Sequence, residues 1–265
     1  MLTGILLGTL IGLVLALTGA GGGVLSIPLL VFGLHLSVQQ AAPIGLLAVF
    51  AASLLGAVLG LRQGVVRYRA AALMGTMGML VAPLGLLLAQ RLPNRPLLVA
   101  FAMVLMYSAW RTLGHAARGA DAKTAAPCLV NPHDQRLTWT RSCARALAGT
   151  GLISGLLSGL LGVGGGFVII PALSRYTDLT LRSVQATSLA VMALVSLSGV
   201  SSAAWQGALS WDIALPFTAG AVVALLAGRQ LANRLDPVRL SQVFAWFCVG
   251  VAALMLSRAV GLMPG

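Results

Sequence analysis

A chain of 265 residues that is 58% apolar, only 8% charged and +12 in net charge at neutral pH is no ordinary soluble globule; its solvent is lipid. The basic residues cap the ends of apolar runs and form no patch interleaved with aromatics, which excludes nucleic acid as a partner. There is no glutamate, and the aspartates Asp121, Asp134, Asp178, Asp212 and Asp236 fall at expected loops or helix ends, so no carboxylate sits at membrane depth, where proton relays and cation sites place them.

Apolar runs of about 20 residues recur along almost the whole length, the signal of transmembrane helices and not of a barrel. The expectation is an all-α, polytopic membrane protein of about eight hydrophobic segments. The first, residues 2–34, would be roughly 50 Å long as one helix at about 1.5 Å per residue, too long for a hydrocarbon core of about 30 Å. It must break, and Gly19-Ala20-Gly21-Gly22-Gly23 is where. No basic stretch or small-residue cleavage site precedes Gly19, so this segment reads as a retained span and not as a removed signal. Segments over 38–61, 69–89 and 95–113 complete the first half. A polar stretch, residues 114–145, carries Arg118, Asp121, Lys123, Asn131, Asp134, Arg136 and Arg141 together with Pro127 and Pro132, and reads as a hydrophilic linker. The second half repeats the pattern over 146–174, 181–205, 211–232 and 237–260, its first segment interrupted at Gly162-Val163-Gly164-Gly165-Gly166.

The repetition is positional. At an offset of 143, Gly8 and Gly12 meet Gly151 and Gly155, the glycine runs superimpose, and Pro28 meets Pro171. Two inserted residues bring Gln40-Ala41 onto Gln185-Ala186; the offset then returns at Gln63-Gly64 against Gln206-Gly207 and persists from Gly85 to Leu92 against Gly228 to Leu235. Residues 1–113 and 146–265 are therefore expected to be two homologous four-segment membrane repeats about the linker. Transporters commonly carry such repeats, with interrupted segments in corresponding positions marking the substrate site. If every segment spans, the repeats share one orientation and the termini, Arg62, Arg67, Arg69 and the linker share one face; Lys and Arg then divide ten to seven and that face is cytoplasmic. If the broken segments are re-entrant, each half crosses three times and the repeats are inverted.

Glycines permit dihedrals that other residues avoid, and each break can start a new helix whose N–H groups and partial positive charge suit an anion. The expected substrate-binding residues are accordingly Gly21, Gly22, Gly23, Gly164, Gly165 and Gly166. Thr187 and Ser188, with Gln40 and Gln185, can add hydrogen bonds from the second segment of each half. Pro28 and Pro171 serve as structural kinks that shape the cavity. Arg229, opposite the apolar Leu86, is a candidate gate charge against the alternative of reaching to headgroups. Cys128, Cys143 and Cys248 form no CxxC and no metal-ligand spacing; the first two read as loop thiols, and no metal or cofactor is expected. His35, His115 and His133 all fall in loops, leaving no membrane-embedded catalytic dyad, and an enzyme is not expected.

Paired G-x-G-G-G runs followed five residues later by proline, the element Ala186-Thr187-Ser188-Leu189 and a polar central loop together resemble the sulfite exporter TauE/SafE family. The resemblance covers about 220 residues in both halves. It implies a multi-pass transporter of the bacterial inner membrane, with members linked to export of sulfite or organosulfonates. Carried over residue by residue, the motif falls on Gly21, Gly22, Gly23 and Pro28, then on Gly164, Gly165, Gly166 and Pro171, with Thr187 and Ser188 as its second-half polar pair. The first half reads Ala42-Pro43 at the positions of that pair and lacks its hydroxyls. The expected function is a secondary transporter exporting a small oxyanion such as sulfite or an organosulfonate, in contact with the lipid bilayer and compatible with a homo-oligomer. The alternatives are a non-transporting scaffold or assembly protein, and a cation or metal carrier.

Overall fold

The computed structural model describes residues 2–18, 22–117, 128, 139–232 and 237–259. Ten α-helices account for nearly all of them: α1 (Leu2–Thr18), α2 (Ser26–Gly33), α3 (Val38–Arg62), α4 (Tyr68–Arg91), α5 (Asn94–Ala117), α6 (Arg141–Leu161), α7 (Gly166–Tyr176), α8 (Leu181–Trp205), α9 (Trp211–Ala232) and α10 (Pro237–Ala259). Five of them, α3, α4, α6, α8 and α9, are long and apolar enough to cross a membrane, and shorter apolar stretches lie in α1, α2 and α10. Helix starts follow local chemistry. Ser37 caps α3 through a capping box with Gln40, and Thr140 and Thr180 accept the Cys143 and Ser183 amides at the starts of α6 and α8. The Thr140 cap lets α6 begin inside the stretch expected to be linker.

The broken segments are hairpins. A Cβ on Gly33, the last residue of α2, would lie 2.7 Å from Leu7 near the start of α1, so α2 returns toward the face from which α1 set out. Tyr176, the last residue of α7, accepts a hydrogen bond from the Cys128 amide at 3.0 Å, and Cys128 is disulfide-bonded to Cys143 near the start of α6. Cys128 and Cys143 are thus bonded to each other and are not the loop thiols expected; spacing in sequence carries no information about which ends a hairpin brings together.

Helix directions follow from glycine contacts. In α4 and α6, Gly151 sits on Met74, Gly155 on Gly78 and Gly159 on Ala82, a parallel pair packed backbone to backbone. Gly8 sits on Phe217 and Gly12 on Ala221, so α1 and α9 are parallel too. Between α3 and α8, Gly56 meets Leu189 and Gly199 meets Leu46, which makes that pair antiparallel. Each of these contacts has its counterpart 143 positions away: Gly8 on Phe217 becomes Gly151 on Met74, Gly228 on Ala16 becomes Gly85 on Gly159, and Gly56 on Leu189 becomes Gly199 on Leu46. Elements of one half pack chiefly on elements of the other.

Tracing these directions gives the bundle two ends. One, the termini face, holds the start of α1, the α2–α3 turn and the α4–α5 turn, where Gln39 Nε2 donates to Leu92 O at 2.6 Å and the Val38 amide donates to Asn94 Oδ1 at 3.0 Å. The other, the linker face, holds Gln63, the start of α4, the start of α6 and the start of α8, where Arg182 donates to Gln63 Oε1 at 3.0 Å. The start of α1 and Arg62 therefore lie at opposite ends, as the re-entrant alternative has it; that the termini, Arg62, Arg67, Arg69 and the linker share a face was the expectation only if every segment spans.

The glycine seams can be checked by stability. A Cβ on Gly155 would lie 2.5 Å from the Gly78 Cα, whereas Gly149, in the same helix, has nothing within 4 Å. Gly155→Ala should lower the melting temperature of the purified protein by forcing α4 and α6 apart at about 1–3 kcal/mol. Gly149→Ala should raise it, by up to about 1 kcal/mol of helix propensity. Equal shifts in the two variants would contradict the seam.

Candidate substrate-binding site

The second break is built by glycine and can be built by little else. Gly162 closes α6 at φ 67°, its N–H donating to Ser158 O at 2.8 Å. Gly164 and Gly165 follow at φ 77° and 74°, left-handed values that a Cβ disfavours. Ser154 Oγ donates to Gly165 O at 3.2 Å and holds the turn against α6. Gly166 then opens α7, in which the Val168 and Ile169 N–H groups donate to Gly165 O at 3.0 and 3.2 Å, leaving the Gly166 and Phe167 N–H groups at the helix start without an acceptor in the helix. The described part of the first break is different: Gly22–Leu25 is a 3-10 turn leading into α2, with Ser26 Oγ donating to Gly23 O at 2.6 Å. Gly21 lies outside the described residues. Pro28 falls in the first turn of α2, where a proline is tolerated, whereas Pro171 sits inside α7 and removes the N–H that would have met the Phe167 carbonyl.

The two breaks touch. A Cβ on Gly23 would lie 2.8 Å from Val163 O and 3.0 Å from Val49, and one on Gly45 would lie 2.9 Å from Ser26 Oγ and 3.0 Å from Gly162 O. Gly164 rests against Val49, Met192 and Ser196. Gly23, Val163, Gly164, Gly165 and Gly166 are all buried, enclosed by α3 and α8. Lipid solvates no backbone, so an irregular stretch in a membrane protein has to be covered by protein or wetted by a cavity; here the packing covers it.

An open cavity of about 120 Å³ enters from the linker face between α3 and α8. Gln63, Arg182 and Gln185 stand at its mouth, and Leu15, Ala16, Gly56 and Leu225 line it further in, so it ends at the last described turns of α1 before the first break. A shallower cavity of about 340 Å³ lies at the termini face beside Pro83, Ser198 and Gln206. Neither is lined by the described glycines of the breaks. Among the described residues there is no group of three His, Cys, Asp or Glu side chains that could hold a metal.

The model of the family described as "Sulfite exporter TauE/SafE" matches residues 4–255. The chain belongs to that family. It is similar to a protein named "Probable membrane transporter protein" from Xylella fastidiosa strain 9a5c, 27% identical over 261 residues that cover 95% of this chain and 93% of that one. The protein of the same name from strain Temecula1 is also 27% identical, over 259 residues. The TauE/SafE chain is thus a membrane transporter and not an enzyme, and the scaffold reading is set aside.

The side chains singled out from sequence are not gathered at the breaks. Thr187 is fully buried, but its Oγ1 accepts the Arg67 amide at 3.1 Å and so pins the α3–α4 turn to α8. Ser188 Oγ donates to the Val184 carbonyl of its own helix at 2.7 Å. Gln40 is occupied in the α3 cap at the termini face, while Gln185 lies at the mouth of the linker-face cavity. At about 1.5 Å per residue, Thr187 stands roughly 13 Å along α8 from Ser196, the residue that does reach the second break. His35 occupies the α2–α3 turn at a positive φ of 53°. The side chains of Arg229, His115 and His133 lie outside the described residues.

Serines were the missed signal. Ser154 and Ser158 recur at four-residue spacing in the broken segment, and Ser53 and Ser196 are 143 apart; all four are fully buried. Thr187 is therefore expected to behave as a structural residue: Thr187→Val should lower thermal stability by about 1–3 kcal/mol through the orphaned Arg67 amide, with Thr187→Ser close to wild type. Loss of substrate binding in Thr187→Val at unchanged stability would reverse that assignment.

Proposed function

We propose that this transporter carries a small oxyanion, sulfite or an organosulfonate, past the point where the two glycine breaks meet, as a secondary exporter of the bacterial inner membrane. The observation that carries the reading is the junction of Gly23 with Val163 and of Gly45 with Gly162, which brings two helix starts, α2 and α7, to one place between α3 and α8. Helix N-termini bind oxyanions without embedded lysine or arginine. In this reading Gly21 to Gly23 and Gly164 to Gly166 supply backbone donors, and residues 1–113 and 146–265 are two inverted repeats joined by the linker 114–145. The antiparallel packing of the counterparts α3 and α8 supports the inversion.

The cavity that reaches Leu15 and Leu225 enters from the linker face. Its counterpart at the termini face, under the same offset, would be lined by Ser158, Gly159 and Gly199, and these are packed. Transport then alternates by moving one hairpin-bearing unit against the other so that the closed path opens as the open one closes. Liposomes containing the purified protein should take up radiolabelled sulfite, sulfate or a sulfonate. Gly164→Leu should abolish uptake, because a side chain there meets both a disfavoured φ of 77° and the Val49 and Met192 side chains. Unchanged flux in that variant would defeat the site.

The linker face is the cytoplasmic one in this proposal. Seven of the nine arginines with described side chains (Arg62, Arg67, Arg69, Arg141, Arg145, Arg175 and Arg182) stand there, against Arg91 and Arg95 at the termini face. The Cys128–Cys143 bond points the other way, since disulfides persist in oxidising compartments; the arginine asymmetry is weighted more heavily because a cytoplasmic pair of this kind can cycle with redox state. In a background of Cys128→Ser, Cys143→Ser and Cys248→Ala, a membrane-impermeant maleimide should label Ser210→Cys in intact cells and Arg69→Cys only after permeabilisation. The opposite pattern would invert the protein in the membrane.

A further inference from the structure

Two buried hydroxyls flank the second break with nothing to bond. Among the described residues, the buried side-chain polar atoms without a partner are Arg67 Nε and the hydroxyls of Ser158, Ser196 and Thr218. Ser196 is fully buried, and its Oγ lies 3.2 Å from where a Cβ on Gly164 would be. Ser158, also fully buried, shares a helix face with Ser154, four residues earlier, whose Oγ reaches Gly165 O. A buried hydroxyl normally finds an acceptor, and leaving it orphaned is costly. Ser196 stands against Gly164 in the break, and Ser158 lies in the last turn of α6 that leads into it.

A hydrogen-bond acceptor would satisfy these groups together. Each hydroxyl can donate its proton, as can the Gly166 and Phe167 N–H groups at the start of α7, since Val168 and Ile169 already donate to Gly165 O, and an oxyanion is acceptor-only, with lone pairs enough for several donors. The first break offers no equivalent. At the 143-residue offset, the counterpart of Ser158 is Leu15, that of Ser154 is Ile11, and Ser53, the counterpart of Ser196, already donates to the Val49 carbonyl. The two breaks therefore differ in side-chain chemistry as they do in the turn of the backbone.

We propose that the second break holds the oxyanion, with Ser196 Oγ and Ser158 Oγ donating to it beside the start of α7, and that the first break contributes shape without side-chain ligands. This rests on the reading that the protein carries a small oxyanion. It shifts the side-chain ligands from Thr187 and Ser188 to the middle of α8 and the end of α6. Ser158 also stands on the closed path toward the termini face, as the counterpart of the cavity-lining Leu15, so one hydroxyl would greet the ion at the site and at its way out.

Thermal unfolding of the purified full chain in detergent, with the sodium and choline salts of sulfite, sulfate and methanesulfonate and with sodium chloride as reference, separates the outcomes. At least one oxyanion should raise the wild-type melting temperature irrespective of the cation, because a ligand of the folded form stabilises it. Ser196→Ala and Ser196→Ala/Ser158→Ala should melt at or above the wild-type temperature without anion, since an orphaned hydroxyl is removed, and should lose the anion-dependent rise. Ser257→Ala, a hydroxyl bonded to its own helix in α10, should keep it. In liposomes the serine variants should need about tenfold or more anion for half-maximal flux. A Ser196→Ala protein that keeps both the anion-dependent rise and wild-type flux overturns the proposal while leaving oxyanion transport standing. Wild-type liposomes that pass none of these anions overturn both, and stabilisation that follows sodium instead of the anion assigns the orphaned hydroxyls to a cation.

Discussion

Lipid offers a polypeptide backbone no hydrogen-bond partners, and that constraint governs where this chain can stop being helical. A run of apolar residues too long to cross once must turn, and the turn must be enclosed. The enclosure here is mutual: the 3-10 turn after one glycine run lies against the left-handed turn of the other, inside the crossing of α3 and α8. Close approach of the surrounding helices supplies the cover, and glycine supplies the close approach. Gly8, Gly12, Gly151, Gly155 and Gly159 carry no side chain because a partner's backbone occupies that space.

Much of this was legible without coordinates. The helical class, the limits of the long segments and the 143-residue offset came from hydropathy and from matching glycines, prolines and glutamines. Those signals are local or periodic. The hairpin geometry was not legible, because hydropathy measures burial in lipid and has no sense of direction: a segment that enters and returns is as greasy as one that crosses. Whether the termini share a face with Arg62 and the linker depends on that one missing sign, which is why spanning and re-entrant segments were both open. The Cys128–Cys143 bond was hidden for a related reason, since it joins chain ends that only a hairpin places side by side.

The glycines and the hydroxyls of the candidate site differ in how far sequence alone can carry them. The glycines were identified by their effect on the backbone, a property that belongs to the residue wherever it stands. Thr187 and Ser188 were chosen for their hydroxyls, yet whether a hydroxyl is available depends on its neighbours, and both are spent on the backbone, one of α4 and one of α8. Ser196 looks no different in sequence from Ser188. What separates them is that the carbonyl one turn back takes the Ser188 proton and leaves that of Ser196 unclaimed. Family membership narrows the activity to membrane transport.

The exchange of partners between halves has a consequence for how the molecule is made. Helix α1 is made roughly 200 residues before α9, which fills its glycine face. Until then α1 has an open seam and α2 is a half-length helix with polar ends, so the early hairpin cannot mature on its own schedule. Its counterpart is spared the delay, because α4 is already in place when α6 emerges. In order of synthesis the later hairpin has its packing partner before it, and the earlier one has its partner only in the second half.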